Sequence, residues 1–124
     1  MYLIKTTLSG EHVRLEPLCE HHLAQLALAI NDGELWRLGV TLVPKPCELA
    51  QFYADAHVGF VQQHCLAFAT IATTIDKVVG STRFMKVDLR HKKAEIGFTF
   101  LAQSWQRSSI NTEAKFLMLQ HAFE

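Results

Sequence analysis

The residues best suited to chemistry lie together near the C-terminal end, in the run Gln103-Ser104-Trp105-Gln106-Arg107-Ser108-Ser109-Ile110-Asn111-Thr112-Glu113-Ala114-Lys115. An apolar, strand-like stretch precedes this polar loop and a helical pattern follows it. The start of a helix leaves backbone N–H groups unpaired and places the positive end of the helix dipole behind them, which suits a bound anion. Ser108, Ser109 and Thr112 are small enough to let a phosphate approach and can donate to it, and Arg107 adds a full charge. The same residues also make an ordinary capped helix, because Ser and Asn are preferred caps. Taken by type alone, the two readings weigh about equally.

Other reactive side chains form weaker patterns. The seven histidines show no His-Glu-x-x-His spacing, and the adjacent His21 and His22 do not share a helical face, so no metal site is expected. His64 and Cys65 are neighbours in a strand-like run and point to opposite faces, which makes Cys65 a buried structural thiol rather than a nucleophile. Cys19, Cys47 and Cys65 are odd in number and form no Cys-x-x-Cys pair, the pattern of a reducing compartment, so a cytoplasmic protein is expected. Twelve basic and twelve acidic residues cancel, leaving no overall field that would draw the chain to nucleic acid or an anionic membrane. No apolar run reaches the roughly 18 to 20 residues of a membrane span, and Met1 to Thr6 lacks the apolar core of a signal peptide.

The elements that position the loop follow from periodicity. At 124 residues, 49% of them hydrophobic and 19% charged, the chain reads as one globular domain over residues 1–124. His12 to Leu18 alternates as a strand that Pro17 ends in the manner of an edge. Leu23, Leu26, Ala27 and Ile30 recur at helical spacing within Glu20 to Ile30, and Asn31-Asp32-Gly33 stops them. A second helix starts near Lys45-Pro46 and runs to about His64, with Leu49, Phe52, Tyr53, Ala56 and Phe60 along one side. Cys65 to Thr73, Val78 to Leu89 and Ala94 to Leu101 read as an antiparallel meander. Alternation in the middle strand puts Val79, Ser81, Arg83, Met85 and Val87 on one face. The last helix runs from about Ser109 to Phe123, apolar nearly all round in its second half.

This order resembles the GNAT superfamily of N-acetyltransferases, in the branch that acetylates N-terminal amines of ribosomal proteins and related small amines. The resemblance rests on the loop and helix from Trp105 to Lys115, with supporting patches Val13-Arg14-Leu15-Glu16-Pro17-Leu18, Glu34-Leu35-Trp36, Val79-Gly80-Ser81-Thr82-Arg83-Phe84 and Glu95-Ile96-Gly97-Phe98. It implies an α/β (α+β) fold with a mixed, mainly antiparallel sheet flanked by helices, and acetyl-CoA as co-substrate. By that resemblance the main chain of Phe98, Thr99, Phe100 and Leu101 pairs with the pantetheine arm, and the pyrophosphate loop maps onto Gln106, Arg107, Ser108, Ser109, Ile110 and Asn111. Ser109 stands where the family carries a glycine, and Asn111 where the wider superfamily has glycine or alanine.

Acetylating an amine needs a base for the ammonium proton and a donor for the oxyanion. Glu95, on the strand beside the expected thioester position, is the base candidate; the competing reading is a surface glutamate paired with Lys92 or Lys93. Trp36 and Arg37 fall where the family's substrate mouth lies, although an aromatic there also serves as a core plug. The family continues with further strands and a helix beyond the point corresponding to Glu124, so the domain reads as incomplete at its C-terminus. Two functions follow: an N-acetyltransferase transferring an acetyl group to a peptide N-terminus or small amine, or a non-catalytic CoA-binding or protein-interaction module on the same fold. The apolar strand edge and last helix predict a homodimer.

Overall fold

The computed structural model describes residues 3–37, 43–106 and 108–122. Five strands, β1 (Leu8–Ser9), β2 (Val13–Pro17), β3 (Leu66–Ala72), β4 (Lys77–Asp88) and β5 (Lys93–Leu101), form one antiparallel sheet in the order β1-β2-β3-β4-β5. Helices α1 (Leu23–Asn31) and α2 (Leu49–Val61) come between β2 and β3, and α3 (Ser109–Ala122) follows β5. The sheet is antiparallel throughout and helices pack on it, in agreement with the expected fold class. Among the described residues no helix is long and apolar enough to cross a membrane.

The sheet divides two cores. On one face Ile110, Ala114 and Met118 of α3 pack with Val13, Leu15, Phe68, Phe84 and Leu101. On the other, Leu26 and Ile30 of α1 and Leu49 and Ala56 of α2 meet Ala67, Ala69, Ile71, Val78 and Phe100. β3 lies between them with every residue buried, which explains its unbroken apolar sequence Leu-Ala-Phe-Ala-Thr-Ile-Ala. Its alternation is one of size. Leu66 and Phe68 serve the α3 side, where one helix leaves room, and Ala67 and Ala69 serve the side crowded by two helices.

Two sequence expectations are corrected. The first predicted strand is not the sheet edge, because the two-residue β1 pairs outside it through Leu8 opposite Leu15 and Ser9 opposite Arg14. β1 is too short to give a periodicity signal. The strict alternation expected along β4 fails at two irregularities, between Thr70 and Ile71 in the β3 register and between Met85 and Asp88 in the β5 register. Val79 and Val87 therefore join Phe84 in the α3-side core, while Arg83 points to α2. The last helix, apolar nearly all round in its second half, leaves part of that surface uncovered: Phe116 is 63% exposed and Leu119 50% exposed.

Pairing of β4 with β5 depends on a residue without a side chain. A β-carbon at Gly80 would overlap the Phe100 carbonyl oxygen, a backbone atom that cannot yield without parting the strands. Gly80→Ala is therefore expected to destabilise the fold by about 1 to 3 kcal/mol or more in urea unfolding. At an ordinary strand position the same change is neutral or mildly stabilising, so an unchanged midpoint would place β5 farther from β4 than described here.

Candidate active site

β5 is hydrogen-bonded on one side only. Among the described residues nothing pairs with its outer edge, so a row of main-chain N–H and C=O groups stays available. The pairing with β4 is also uneven. Arg83 faces Gly97 and Ser81 faces Phe100, so the single residue Thr82 on β4 lies opposite two, Phe98 and Thr99, on β5. This is a β-bulge, and Phe98 takes the left-handed backbone region at φ 47°. The bulge divides the side chains: Phe98 turns over Arg83 on the α2 side, with its ring 4.7 Å from the guanidinium, whereas Thr99 hydrogen-bonds Thr82 at 2.8 Å toward α3. Phe100 and Leu101 are buried in opposite cores. Of the stretch expected to meet pantetheine, it is the main chain that stays free.

Beside the bulge lies an open groove of about 510 Å³. Pro44, Glu48, Phe52 and Asp55 wall it from α2 and the turn before α2, and Arg83 and Phe98 from the sheet. Arg83 is only 6% exposed. Its guanidinium is 4.8 Å from the Phe52 ring as well, so two aromatic rings cover it. Burial pulls its pKa down, and nearby Cys65 and Asp55 act in the opposite direction. Cys65 itself is buried, donates its thiol to the Ala56 carbonyl, and has its pKa raised by that burial, as a structural thiol should.

At its C-terminal end β5 runs straight into the predicted anion loop. A single helical turn, Gln103–Trp105, leads to α3. The Gln106 side-chain amide donates to the Leu101 carbonyl at 3.1 Å, bracing the loop on the strand end. Ser108 Oγ donates to the Trp105 carbonyl at 2.5 Å and accepts the Ile110 N–H at 3.3 Å, so it caps α3. Ser109 and Thr112 are exposed in the first turn, while Ile110 is buried and pins the helix to the core. Asn111 is half-buried. Arg107 lies outside the described residues.

Two anchors that the sequence reading missed hold this loop. Glu113 Oε1 accepts the main-chain N–H groups of His12 at 2.7 Å and Val13 at 2.8 Å, fastening the first turn of α3 to the start of β2. Gly10 makes room for it, since a β-carbon there would lie 2.5 Å from Glu113 Oε1. On the far side, the Asp32 carbonyl accepts the Gln103 N–H at 2.9 Å and its carboxylate accepts the Ser104 N–H at 3.3 Å, tying the end of α1 to the loop. Gly10 in the β1–β2 turn was the one available hint of the first anchor, because a glycine there signals close approach.

The remaining predicted site residues are more scattered. Glu95 is exposed on β5 and its carboxylate lies 3.6 Å from Lys86, not from Lys92 or Lys93, because antiparallel pairing puts β4 residues next to it. It lies three positions before Phe98, about 10 Å along a strand. Arg37 is exposed and paired with Glu34 at 2.8 Å, which raises its pKa. Trp36 belongs to the turn Leu35–Arg37, and its side chain lies outside what the structure describes. Adjacency does not keep His21 and His22 apart: with Cys19 they bring three ligand-type atoms within 4.8 Å of one another. Both His22 ring nitrogens are engaged, however. Nδ1 accepts the Cys19 N–H at 3.0 Å and Nε2 lies 2.9 Å from Glu16, a contact that holds the Glu16 carboxyl below its usual range.

Comparison with known proteins decides the family. The model of the Acetyltransferase (GNAT) domain matches residues 12–124. The chain belongs to the GNAT acetyltransferase family. A GCN5-related N-acetyltransferase from Brucella melitensis superposes with a TM-score of 0.80 at 26% identity, over 99% of this chain and 57% of that one. An acetyltransferase from Salmonella typhimurium that modifies the N-terminal serine of the 50S ribosomal protein L7/L12 superposes with a TM-score of 0.79 at 14% identity, over 94% of this chain and 67% of that one. The chain thus spans little more than half the length of the Brucella GNAT protein. No curated protein matches the sequence.

In this GNAT fold the loop geometry rests on Glu113. Glu113→Ala removes two charge-assisted hydrogen bonds and is expected to lower stability by about 1 to 3 kcal/mol. Lys115→Ala, exposed on the same helix, should change it by less than about 0.5 kcal/mol. Equal effects of the two substitutions in thermal unfolding would show that Glu113 does not fasten α3 to β2.

Proposed function

We propose that the chain is an acetyl-CoA-dependent N-acetyltransferase acting on a primary amine, either a protein N-terminus or a small amine. The observation that carries this reading is the continuity of three features: an unpaired strand edge, a bulge in that strand, and a helix N-terminus at the strand's end. Main-chain groups of Phe98, Thr99, Phe100 and Leu101 take the pantetheine arm as an added strand would. The loop of Gln106, Arg107, Ser108, Ser109, Ile110 and Asn111 receives the phosphates. Gln106 and Ser108 shape this loop, because their side chains are hydrogen-bonded within it. Ser109 replaces the family's glycine at an exposed position, where its β-carbon does not crowd the protein and its hydroxyl is free to donate. Acetyl-CoA, when bound, supplies the activated acyl group.

The groove beside Phe98 receives the acceptor, and Trp36 and Arg37 contribute to its binding as the family resemblance implies. The acceptor ammonium must lose a proton before its nitrogen attacks the thioester carbonyl; the new C–N bond forms as the C–S bond breaks, and CoA leaves as the thiol. Glu95 is the base in this reading, drawing the proton directly or through water, with Lys86 3.6 Å from its carboxylate. The free thiols of Cys19, Cys47 and Cys65 suit a reducing cytoplasm. A second copy of the chain covers the exposed Phe116 and Leu119 of α3 or the open β5 edge, giving a homodimer.

CoA at a hundredfold excess over its dissociation constant should stabilise the chain by roughly 2.7 kcal/mol, raising its melting temperature by about 3 to 8 °C. No shift and no calorimetric heat at millimolar CoA would end the acetyltransferase reading. Glu95→Gln should keep CoA binding and lose turnover by roughly 10² to 10⁴. CoA binding with no turnover by either protein on any amine would leave a CoA-binding module instead. Sedimentation at micromolar concentration should give a dimer, and a single 14.0 kDa species would rule out the second copy.

A further inference from the structure

A positive charge lies between sheet and helix without an anionic partner in contact among the described residues. Arg83 is 94% buried by the complement of its 6% exposure, and its Nε and Nη2 have no hydrogen-bond partner among the described residues. These two nitrogens form one edge of the guanidinium, a pair of parallel donors spaced for the two oxygens of a carboxylate. An unpaired buried charge is among the costliest features a fold can carry, and an apolar side chain of similar length would fill the space between Phe52 and Phe98 at lower cost. Packing therefore does not account for an arginine at this position.

Its surroundings favour a ligand. Arg83 lines the groove, and Phe98, which covers it, stands on the β-bulge with a left-handed backbone. The Phe98 ring lies 4.7 Å from the guanidinium and lines the same groove, so Arg83 and its cover both border the space a ligand would enter. The carboxylates of the chain that share the groove are already engaged: Asp55 accepts the Gln51 side-chain amide at 2.7 Å, and Glu48 accepts the Lys45 main-chain N–H at 2.8 Å. Their negative charge suits an ammonium group and disfavours a dianion such as phosphate.

We infer that the groove takes an amine that also carries a carboxylate, in the manner of an amino acid, with the carboxylate held by the free edge of Arg83 and the ammonium group by the field of Glu48 and Asp55. Calling this ligand the acceptor rests on the acetyltransferase reading; its binding does not.

The test is calorimetric titration of the whole chain with three probes: L-alanine, ethylamine, which lacks only the carboxylate, and propionate, which lacks only the amine. L-Alanine should bind most tightly. Arg83→Met should weaken it roughly 10- to 100-fold, the size expected for lost hydrogen bonds to a charged group, and leave ethylamine unchanged. Arg83→Lys, which keeps the charge but loses the fork, should fall between. Equal binding of L-alanine and ethylamine, no saturable binding of L-alanine at millimolar concentration, or L-alanine affinity unchanged in a folded Arg83→Met or Arg83→Lys protein would each overturn the inference. CoA titrated into the same samples separates the two proposals. CoA binding without carboxylate discrimination overturns this one alone, and carboxylate discrimination without CoA binding overturns only the acetyltransferase reading.

Discussion

Two residues of β5 share the space opposite one residue of β4, and much of the site geometry follows from that mismatch. Strict alternation along β5 would send Ile96, Phe98 and Phe100 to one face, yet Ile96 packs against the α3-side core while Phe98 and Phe100 lie on the α2 side. The bulge at Phe98 and Thr99 interrupts this order. Phe98 is carried over Arg83, Thr99 pairs with Thr82, and Phe100 still reaches the α2-side core. The close approach at Gly80, directly against the Phe100 carbonyl, keeps the strands together just past the bulge. A bulge bends its strand and strengthens its local twist, and here it does so on the strand whose other edge has no partner among the described residues.

The two cores on either side of the sheet serve different ends. The α3 side is closed by a helix whose apolar stripe, Ile110, Ala114 and Met118, follows helical spacing, and whose first turn is fastened by a carboxylate to main-chain amides of His12 and Val13. Fixing a helix start in this way leaves the loop ahead of it with little freedom. The opposite side is closed by α1 and α2, and the groove lies between α2 and the sheet beside Arg83. One face of the sheet thus holds the loop in place and the other provides the cavity, with β5 between them.

Arg83 shows how such a site departs from what stability alone would select. Its guanidinium is buried among rings with an edge unsatisfied, while nearby polar groups such as Ser81, Thr82 and Glu16 all have partners. Local chemistry that does not serve packing tends to mark positions with another use. The same contrast separates Cys65, buried and hydrogen-bonded to a carbonyl, from a reactive thiol.

The sequence by itself determined the elements and their order. Periodicity located α1, α2, the three strands from Leu66 to Leu101, and α3 to within a residue or two at most ends, because burying one face of a helix or strand constrains residue types at short range. The Trp105 to Lys115 run carried the family resemblance for a similar reason, as loop and cap chemistry is local. What only the tertiary structure decided are relations between residues distant in the chain. β1 is too short to register as a pattern, and the bulge at Phe98 is a matter of counting between two strands. The grip of Glu113 on residues about a hundred positions away, the pairing of Glu95 with Lys86, and the enclosure of Arg83 by Phe52 and Phe98 leave no local signature. Side chains at such positions look like ordinary surface or strand residues until the sheet register brings them together.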